Sequence, residues 1–170
     1  TDYSGSPFQL YVSRVDIPAI SDIDNDGDID ILTFQSLGGH IEFHENLSMD
    51  LYGHADSLIF MMTDPCWGDV YEGLNTYTLN DCNTPLTNLR HTGSSILAID
   101  IDNDADKDLI LGDVSYNNLN LLTNGGSPGT SIITNVDQNF PSNNTNTIAT
   151  DITAFPAAFF LDVNNDGLKD

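Results

Sequence analysis

The chain has very few basic residues. Its 170 residues contain 4 Lys and Arg against 26 Asp and Glu, which gives a net charge of −22. So few cations cannot form the basic surface that neutralises phosphates, and we therefore expect neither a nucleic-acid partner nor binding to an anionic membrane surface. The apolar runs are far shorter than the roughly 18 residues of a membrane-spanning helix, which predicts no membrane insertion.

Residues typical of helix surfaces are scarce as well. Glu occurs at three positions and Lys at two, although both are strong helix formers. The chain nevertheless has 39% hydrophobic residues, with 8 Phe, 6 Tyr and 1 Trp, which is too apolar for a disordered acidic segment. Its apolar runs are short and bounded by Gly, Asn and Ser turns, as strands are. We predict an all-β fold of about one domain.

The acidic residues are concentrated in three nine-residue blocks that begin at Asp22, Asp100 and Asp162. In each block, side-chain oxygens occupy positions 1, 3, 5 and 9, and a turn residue occupies position 6. With the carbonyl of position 7, such side chains can surround one cation, and oxygen ligands in a flexible loop suit Ca²⁺ better than Mg²⁺. The alternative is three Asp- and Asn-rich turns with solvated charge, which three matches to one template disfavour.

An EF-hand is a second alternative, because its loop begins with the same spacing. It requires a bidentate Glu at position 12 and helices on both sides. Position 12 is Thr33 in the first block and Leu111 in the second, and short apolar runs with strand character surround these residues. The sequence therefore favours strands around the loops.

Each acidic block lies inside a repeated pattern of apolar segments. An apolar strand precedes every block, and a second strand, a polar turn and a third strand follow the first two blocks. The preceding strands are predicted at residues 18–20, 96–99 and 156–161. The following strands are predicted at residues 31–34, 40–45, 109–112 and 119–122. Strand, loop, strand, turn, strand makes one antiparallel sheet unit.

These strand–DxDxDGxxD–strand units resemble the FG-GAP/VCBS repeats of integrin-α-like β-propellers. The flanking segments at residues 64–68, 109–114, 122–126 and 155–159 resemble the propeller region of secreted or surface proteins of Bacteroidetes, which often carry a C-terminal type IX secretion sorting domain. The resemblance covers nearly the whole chain. It implies a calcium-binding segment of a β-propeller in a secreted or cell-surface protein, with an unknown protein or glycan as ligand.

The resemblance also divides the chain, which as a whole (1–170) would be part of a propeller. Blade units are expected at residues 8–48 and 95–126, with the start of a third at 156–170. Residues 49–94 and 127–155 would be insertions, the second an extended surface loop with room for one strand. Because a propeller needs at least four blades to close, we expect further blades of the same polypeptide.

The same resemblance assigns the residues of each calcium loop, with two to three bound Ca²⁺ ions. Side chains at positions 1, 3, 5 and 9 and the carbonyl at position 7 would hold each ion. The residues are Asp22, Asp24, Asp26, Asp28 and Asp30 in loop 1; Asp100, Asp102, Asp104, Asp106 and Asp108 in loop 2; and Asp162, Asn164, Asp166, Leu168 and Asp170 in loop 3. Gly27 and Gly167 at position 6 permit a left-handed turn, whereas Ala105 predicts strain or weaker binding in loop 2.

The function we expect is a binding or adhesion module in which calcium is structural. No nucleophile elbow, zinc-binding helix or phosphate-binding loop occurs in the sequence, so no catalytic constellation indicates an enzyme. The alternatives are the scaffold of a secreted polysaccharide-active enzyme and a structural spacer in a large surface protein. Carboxylates and aromatic residues converging in one cleft would favour the enzyme.

Two smaller groups of residues complete the candidates. Cys66 and Cys82 are the only cysteines, and in an exported protein a disulfide between them would close the intervening loop. Two free thiols are the alternative. His40, Glu42 and His44 alternate along one predicted strand, and we interpret them as a solvated strand face rather than a transition-metal site.

Overall fold

The computed structural model describes residues 9–83, 93–142 and 145–170, and these form an all-β fold, as predicted. Residues 8, 84–92 and 143–144, which belong to the first predicted unit and the two predicted insertions, lie outside the described residues. The helical elements of the described chain are a short helix α1 (Ser48–Tyr52) and a 3-10 turn (Trp67–Asp69). No helix among the described residues is long and apolar enough to cross a membrane.

The first sheet has four antiparallel strands in chain order. They are β1 (Ala19–Ser21), β2 (Asp30–Phe34), β3 (Ile41–Asn46) and β4 (Phe60–Asp64). Loop 1 joins β1 to β2. In the register, Leu32 on β2 lies between Ala19 and Phe43, and all three side chains are buried. The sheet therefore presents a continuous apolar face to the core.

The second sheet repeats this topology after a short hairpin. The hairpin consists of β5 (Val70–Glu72) and β6 (Tyr77–Leu79). The second sheet contains β7 (Ser94–Ile99), β8 (Asp108–Asp113), β9 (Leu119–Asn124) and β10 (Ile133–Phe140), again antiparallel in chain order. Loop 2 joins β7 to β8 as loop 1 joins β1 to β2, and neither sheet closes on itself.

Each sheet has one strand more than the predicted three-stranded unit. The fourth strands, β4 and β10, lie in the segments 49–94 and 127–155 that were expected to be insertions. The strand predicted at residues 156–161 is not present. A strand requires a series of backbone hydrogen bonds to a neighbouring strand. Loop 3 donates one backbone hydrogen bond to this segment, from Asp170 N to Leu161 O at 2.8 Å.

The hydrophobic core lies between the two sheets and the 3-10 turn with its hairpin. Its members come mainly from alternate strand positions, as expected when one face of each strand is buried. They are Ala19, Ile23, Leu32, Phe34, Ile41, Phe43, Trp67, Val70, Ile96, Ala98, Leu109, Leu111, Leu122 and Ile133.

The segments that precede the three acidic loops are neighbours. Ile17, just before β1, pairs in parallel with Ser95 on β7. Ile17 N donates to Ser94 O at 2.9 Å, and Ile96 N donates to Ile17 O at 2.9 Å. The segment before loop 3 reaches the same strand, because Ser95 Oγ donates to Pro156 O at 3.2 Å. All three segments also line one cavity of about 330 Å³.

Candidate metal centres

Loops 1 and 2 each bring three carboxylates together. In both loops these are the aspartates at positions 1, 3 and 9, whose contributing oxygens lie within 4.8 Å of one another. The groups are Asp22, Asp24 and Asp30 in loop 1, and Asp100, Asp102 and Asp108 in loop 2. Carboxylate oxygens this close repel one another unless a cation lies between them. Both groups have the oxygen ligands and the compactness of a hard-cation site.

The three loops share two hydrogen bonds. The main-chain N–H of position 2 donates to the position 9 carboxylate at 2.9, 3.0 and 3.2 Å in loops 1, 2 and 3. The N–H of position 7 donates to the position 5 carboxylate at 3.0, 3.0 and 2.9 Å. Position 5 is occupied by Asp26, Asp104 and Asp166, which lie outside the compact groups of three. One sequence pattern therefore gives one local structure three times.

Two residues in every loop adopt left-handed backbone. Position 4 is Asn25, Asn103 or Asn165, with φ of 63°, 65° and 61°. Position 6 is Gly27, Ala105 or Gly167, with φ of 104°, 78° and 89°. The left-handed turn expected of the two glycines is confirmed. Ala105 makes the same turn with a β-carbon, which costs about 1–2 kcal/mol relative to a right-handed conformation.

Two buried carboxylates at position 7 keep an unpaired oxygen. Asp28 and Asp106 are 1% and 2% exposed, and Oδ1 of each has no hydrogen-bond partner among the described residues. Asp28 Oδ2 accepts hydrogen bonds from Ser48 Oγ and Met49 N, both at 2.9 Å. A buried carboxylate oxygen without a partner is costly unless a cation or an ordered water satisfies it. The sequence assigned only carbonyls to position 7, and the structure adds these carboxylates.

Burial raises the pKa of four carboxyl groups in loops 1 and 2. Burial raises the pKa of Asp30 to about 7, although two backbone N–H groups oppose the change. Burial, followed by repulsion from Asp104, raises the pKa of Asp106 to about 6. Burial also raises the pKa of Asp24 and Asp108. A cation in each loop would remove this penalty because it favours the ionised carboxylates.

The position 9 aspartates also connect each loop to its sheet. Asp30 Oδ1 accepts a hydrogen bond from Asn46 N at 2.9 Å, and Asp108 Oδ1 accepts one from Asn124 N at 2.8 Å. The side-chain oxygen of each asparagine then accepts the N–H of the residue immediately before the fourth strand, at 3.0 and 2.8 Å. The sequence pattern did not reveal the role of these asparagines. The signal was present, since in both units the asparagine follows the aspartate by 16 residues.

Loop 3 has the same backbone but a different environment. All of residues 162–170 are exposed. Among the described residues, the hydrogen bonds that Asp162 accepts come from main-chain N–H groups of its own loop, Asp166 N at 3.1 Å and Gly167 N at 2.8 Å. Asn164 and the carbonyl-bearing Leu168 are equally open to solvent. The described residues of this loop form no compact group of three carboxylates. We expect loop 3 to bind a cation more weakly than loops 1 and 2.

A cavity of about 420 Å³ opens beside loop 1, between the first sheet and the turn that joins β9 to β10. The carboxylates of Asp24, Glu45 and Asp64 and the ring of Trp67 line it, and its described lining contains no basic side chain. Burial is the main cause that raises the pKa of Glu45 and Asp64. The cavity thus offers hydrogen-bond acceptors beside an aromatic ring, as ligand clefts do.

The predicted disulfide is present. Cys66 and Cys82 are bonded to each other, with their Cα atoms 5.8 Å apart. The bond anchors the 3-10 turn that carries Trp67, and Gly68 N is further held by Ser131 Oγ at 2.9 Å. One wall of the cavity beside loop 1 is therefore fixed by a covalent link.

The prediction of a solvated face at His40, Glu42 and His44 is wrong. His40 and His44 are only 4% and 2% exposed. His44 Nε2 lies 3.2 Å from Glu42 Oε2, and His40 Nδ1 lies 3.2 Å from Val70 O. The segment from Cys66 to Tyr71, which follows much later in the chain, covers His40: Cys66 Sγ lies 3.5 Å from its Nδ1, and the Tyr71 ring packs edge-on against the imidazole.

Comparison with known proteins gives no match. No protein-family model, no curated protein and no solved structure matches the chain. The functional argument therefore rests on the residues and the geometry of the loops.

Proposed function

We propose that the chain is a calcium-binding β-propeller segment of a secreted or cell-surface protein, related to the FG-GAP/VCBS repeats, and that it acts as a binding or adhesion module. One observation carries the proposal. Three loops repeat two hydrogen bonds and two left-handed positions, and two of the loops gather three carboxylates within 4.8 Å. Like charges this closely spaced repel one another, and a cation between them would remove the repulsion.

The arrangement of the sheets supports the propeller. Each sheet is a four-stranded antiparallel meander, the usual form of a propeller blade. The segments preceding the loops are neighbours, as the inner strands of successive blades would be. Further blades of the same polypeptide would complete the ring and cover the exposed residues of loop 3.

Calcium would act on stability rather than on catalysis. In loop 1, Asp22, Asp24, Asp26 and Asp30 and the carbonyl of Asp28 would hold the ion, and the equivalent residues would do so in loop 2. An ion that binds only the folded loop stabilises the fold by RT ln(1 + [L]/Kd), about 2.7 kcal/mol at a hundredfold excess over Kd. Because the position 9 aspartate also binds the end of the third strand, the ion would order loop and sheet together.

A location outside the cell fits the disulfide. Bonds such as Cys66–Cys82 persist in oxidising compartments and are rare in the cytosol. A secreted or surface-exposed module would also meet calcium in the millimolar range at which weak extracellular sites fill. Its ligand would be a protein or a glycan at the cell surface.

The test is a calcium titration of the chelated full chain by calorimetry. We expect two ions to bind loops 1 and 2 and a third to bind loop 3 more weakly. Asp24→Ala should remove one of the two stronger sites and Asp102→Ala the other. Asp56→Ala, at a side chain that is 93% exposed and outside the loops, should change neither. Absence of calcium uptake by a folded chain, or retention of both sites in Asp24→Ala, would contradict the proposal.

The cavity beside loop 1 favours a second candidate, a polysaccharide-active protein. Carboxylates and Trp67 converge there, and Asp24 belongs both to the cavity and to the metal group. Carboxylates in a cleft can serve as acid and base in glycoside cleavage. Because Trp67 is the only tryptophan, its fluorescence should change when neutral oligosaccharides bind, and new reducing ends would indicate cleavage. If a panel of plant and microbial glycans produces neither a fluorescence change nor new reducing ends, this candidate is contradicted.

A further inference from the structure

The side chain of Asn25 in loop 1 bonds to two residues of loop 2. Its Nδ2 donates a hydrogen bond to the carbonyl of Ala105, and its Oδ1 accepts one from Lys107 Nζ at 2.7 Å. Asn25 occupies position 4 of loop 1, and its two partners occupy positions 6 and 8 of loop 2. Both ends of one amide are therefore engaged across the boundary between the two sheets.

This bridge joins the backbone segments that carry the predicted ligands. Asn25 lies between Asp24 and Asp26, so its position depends on how these two side chains are arranged. On the other side, Ala105 and Lys107 flank Asp106, whose carboxylate has a buried, unpaired oxygen. Any displacement of either loop backbone therefore displaces atoms that form the bridge, and ordering of either backbone holds them in place.

We propose that the two loops bind cations cooperatively and that Asn25 is the positioning residue that couples them. The inference rests on the proposed calcium-binding function. Without an ion, each loop must be ordered against the repulsion of its own carboxylates. An ion that orders loop 1 holds Asn25 where it binds Ala105 and Lys107, so loop 2 then binds its ion with part of the ordering already done. Linkage requires the same effect in the reverse direction.

Loop 2 provides a matched control position. Asn103 is the equivalent position 4 residue, has the same left-handed backbone with φ of 65°, and is exposed. In the described part of the chain its side chain makes no bridge to another loop. Glycine adopts this backbone without strain. Asn25→Gly and Asn103→Gly therefore remove the same side-chain amide from the same backbone conformation. Asn25→Gly removes the bridge between the loops, and Asn103→Gly leaves it intact.

The experiment measures the calcium affinity of loop 2 in the full chain, with loop 1 intact or blocked by Asp24→Ala. We expect the block to lower the affinity of loop 2 by about fivefold or more, the lower end of typical allosteric coupling. In the Asn25→Gly background the same block should have an effect below about twofold, whereas in Asn103→Gly it should keep its full effect. Circular dichroism at saturating calcium establishes that each variant is folded.

A second readout follows loop 1 directly. Trp67 lines the same cavity as Asp24, so terbium emission sensitised by this single tryptophan reports the filling of loop 1. Blocking loop 2 with Asp102→Ala should move the terbium midpoint by the same factor as in the calcium experiment. The shift should disappear in Asn25→Gly. If that variant does not fold, Lys107→Gln removes one of the two bridging bonds and should reduce the factor.

The outcomes separate this proposal from the calcium proposal. A folded chain that takes up neither calcium nor terbium contradicts the calcium function itself. If the wild-type chain binds two ions independently, the coupling proposal is wrong and the calcium proposal still holds. Full coupling in both Asn25→Gly and Lys107→Gln, or its loss in Asn103→Gly, would overturn the role of Asn25.

Discussion

The cation-free protein should become more stable as the pH falls from 8 to 5. Asp30 is fully buried, and burial raises its pKa from the ordinary aspartate value of 3.8 to about 7 in the folded chain. A carboxyl group whose pKa is higher in the folded state binds its proton more tightly there, so ionisation of this group destabilises the fold. The stability is therefore lost as the pH rises through 7 and regained as the pH falls between the two pKa values.

The magnitude follows from the size of the shift. On going from pH 8 to pH 5, the free energy of unfolding rises only below the folded pKa of about 7, that is, over about two pH units. At 1.36 kcal/mol per unit the protein gains about 2.7 kcal/mol of stability. For a chain of 170 residues, each kcal/mol moves the melting temperature by about 2–4 °C, so we expect a rise of about 5–10 °C. Asp106, with its pKa raised to about 6, acts in the same direction.

Thermal unfolding by circular dichroism at pH 5, 6, 7 and 8, with a chelator and with saturating calcium, measures this effect. With calcium the trend should reverse, because protons compete with the ion for Asp30. The exposed control Asp56→Asn should follow the wild-type chain in both series. A chelated chain that melts lower at pH 5 than at pH 8, or parallel curves with and without calcium, would refute the reasoning.

Four further results are expected. Chelation at pH 7.5 should lower the melting temperature by about 10–20 °C, because two sites at about 2.7 kcal/mol each are lost; scanning calorimetry measures this. Ala105→Gly should stabilise the chelated chain by about 1 kcal/mol in urea unfolding, since glycine adopts the φ of 78° without strain. The double substitution of Cys66 and Cys82 by Ser should cost about 3 kcal/mol in the same assay, because it opens a loop with a sequence separation of 16 residues. Asn124→Ala should cost about 1–3 kcal/mol, because it leaves the main-chain N–H groups of Gly126 and Ile132 without their acceptor.

The parts of the fold that the sequence predicts are those set by local pattern. Short apolar runs locate β2, β8 and β9, the alternation of apolar and polar residues locates β3, and the glycine at position 6 locates the left-handed turn. The fourth strands are different. Residues 133–140 of β10 include four Asn, Asp or Gln residues, which are poor strand formers, so this strand is stabilised by its pairing with β9 rather than by its own propensity.

Contacts between distant segments could not be predicted. His40 is buried because Val70, 30 residues later, packs beside it. Asn25 meets Ala105 across 80 residues of chain, a contact that depends on how the two sheets pack. The spacing of the aspartates indicates that each loop could hold an ion, whereas the relation between the loops is a property of the assembled sheets.

The aspartate at position 9 of loops 1 and 2 has a structural role that is separable from ion binding. Asp30 and Asp108 use both carboxylate oxygens for main-chain N–H groups, one within the loop and one at the end of the third strand. A repeat that abandoned calcium would be free to exchange its first, third and fifth residues for neutral ones, but would still need an acceptor at the ninth. In other sequences, an aspartate at position 9 would therefore indicate this loop structure, whereas acidic residues at positions 1, 3 and 5 would indicate that the loop binds an ion.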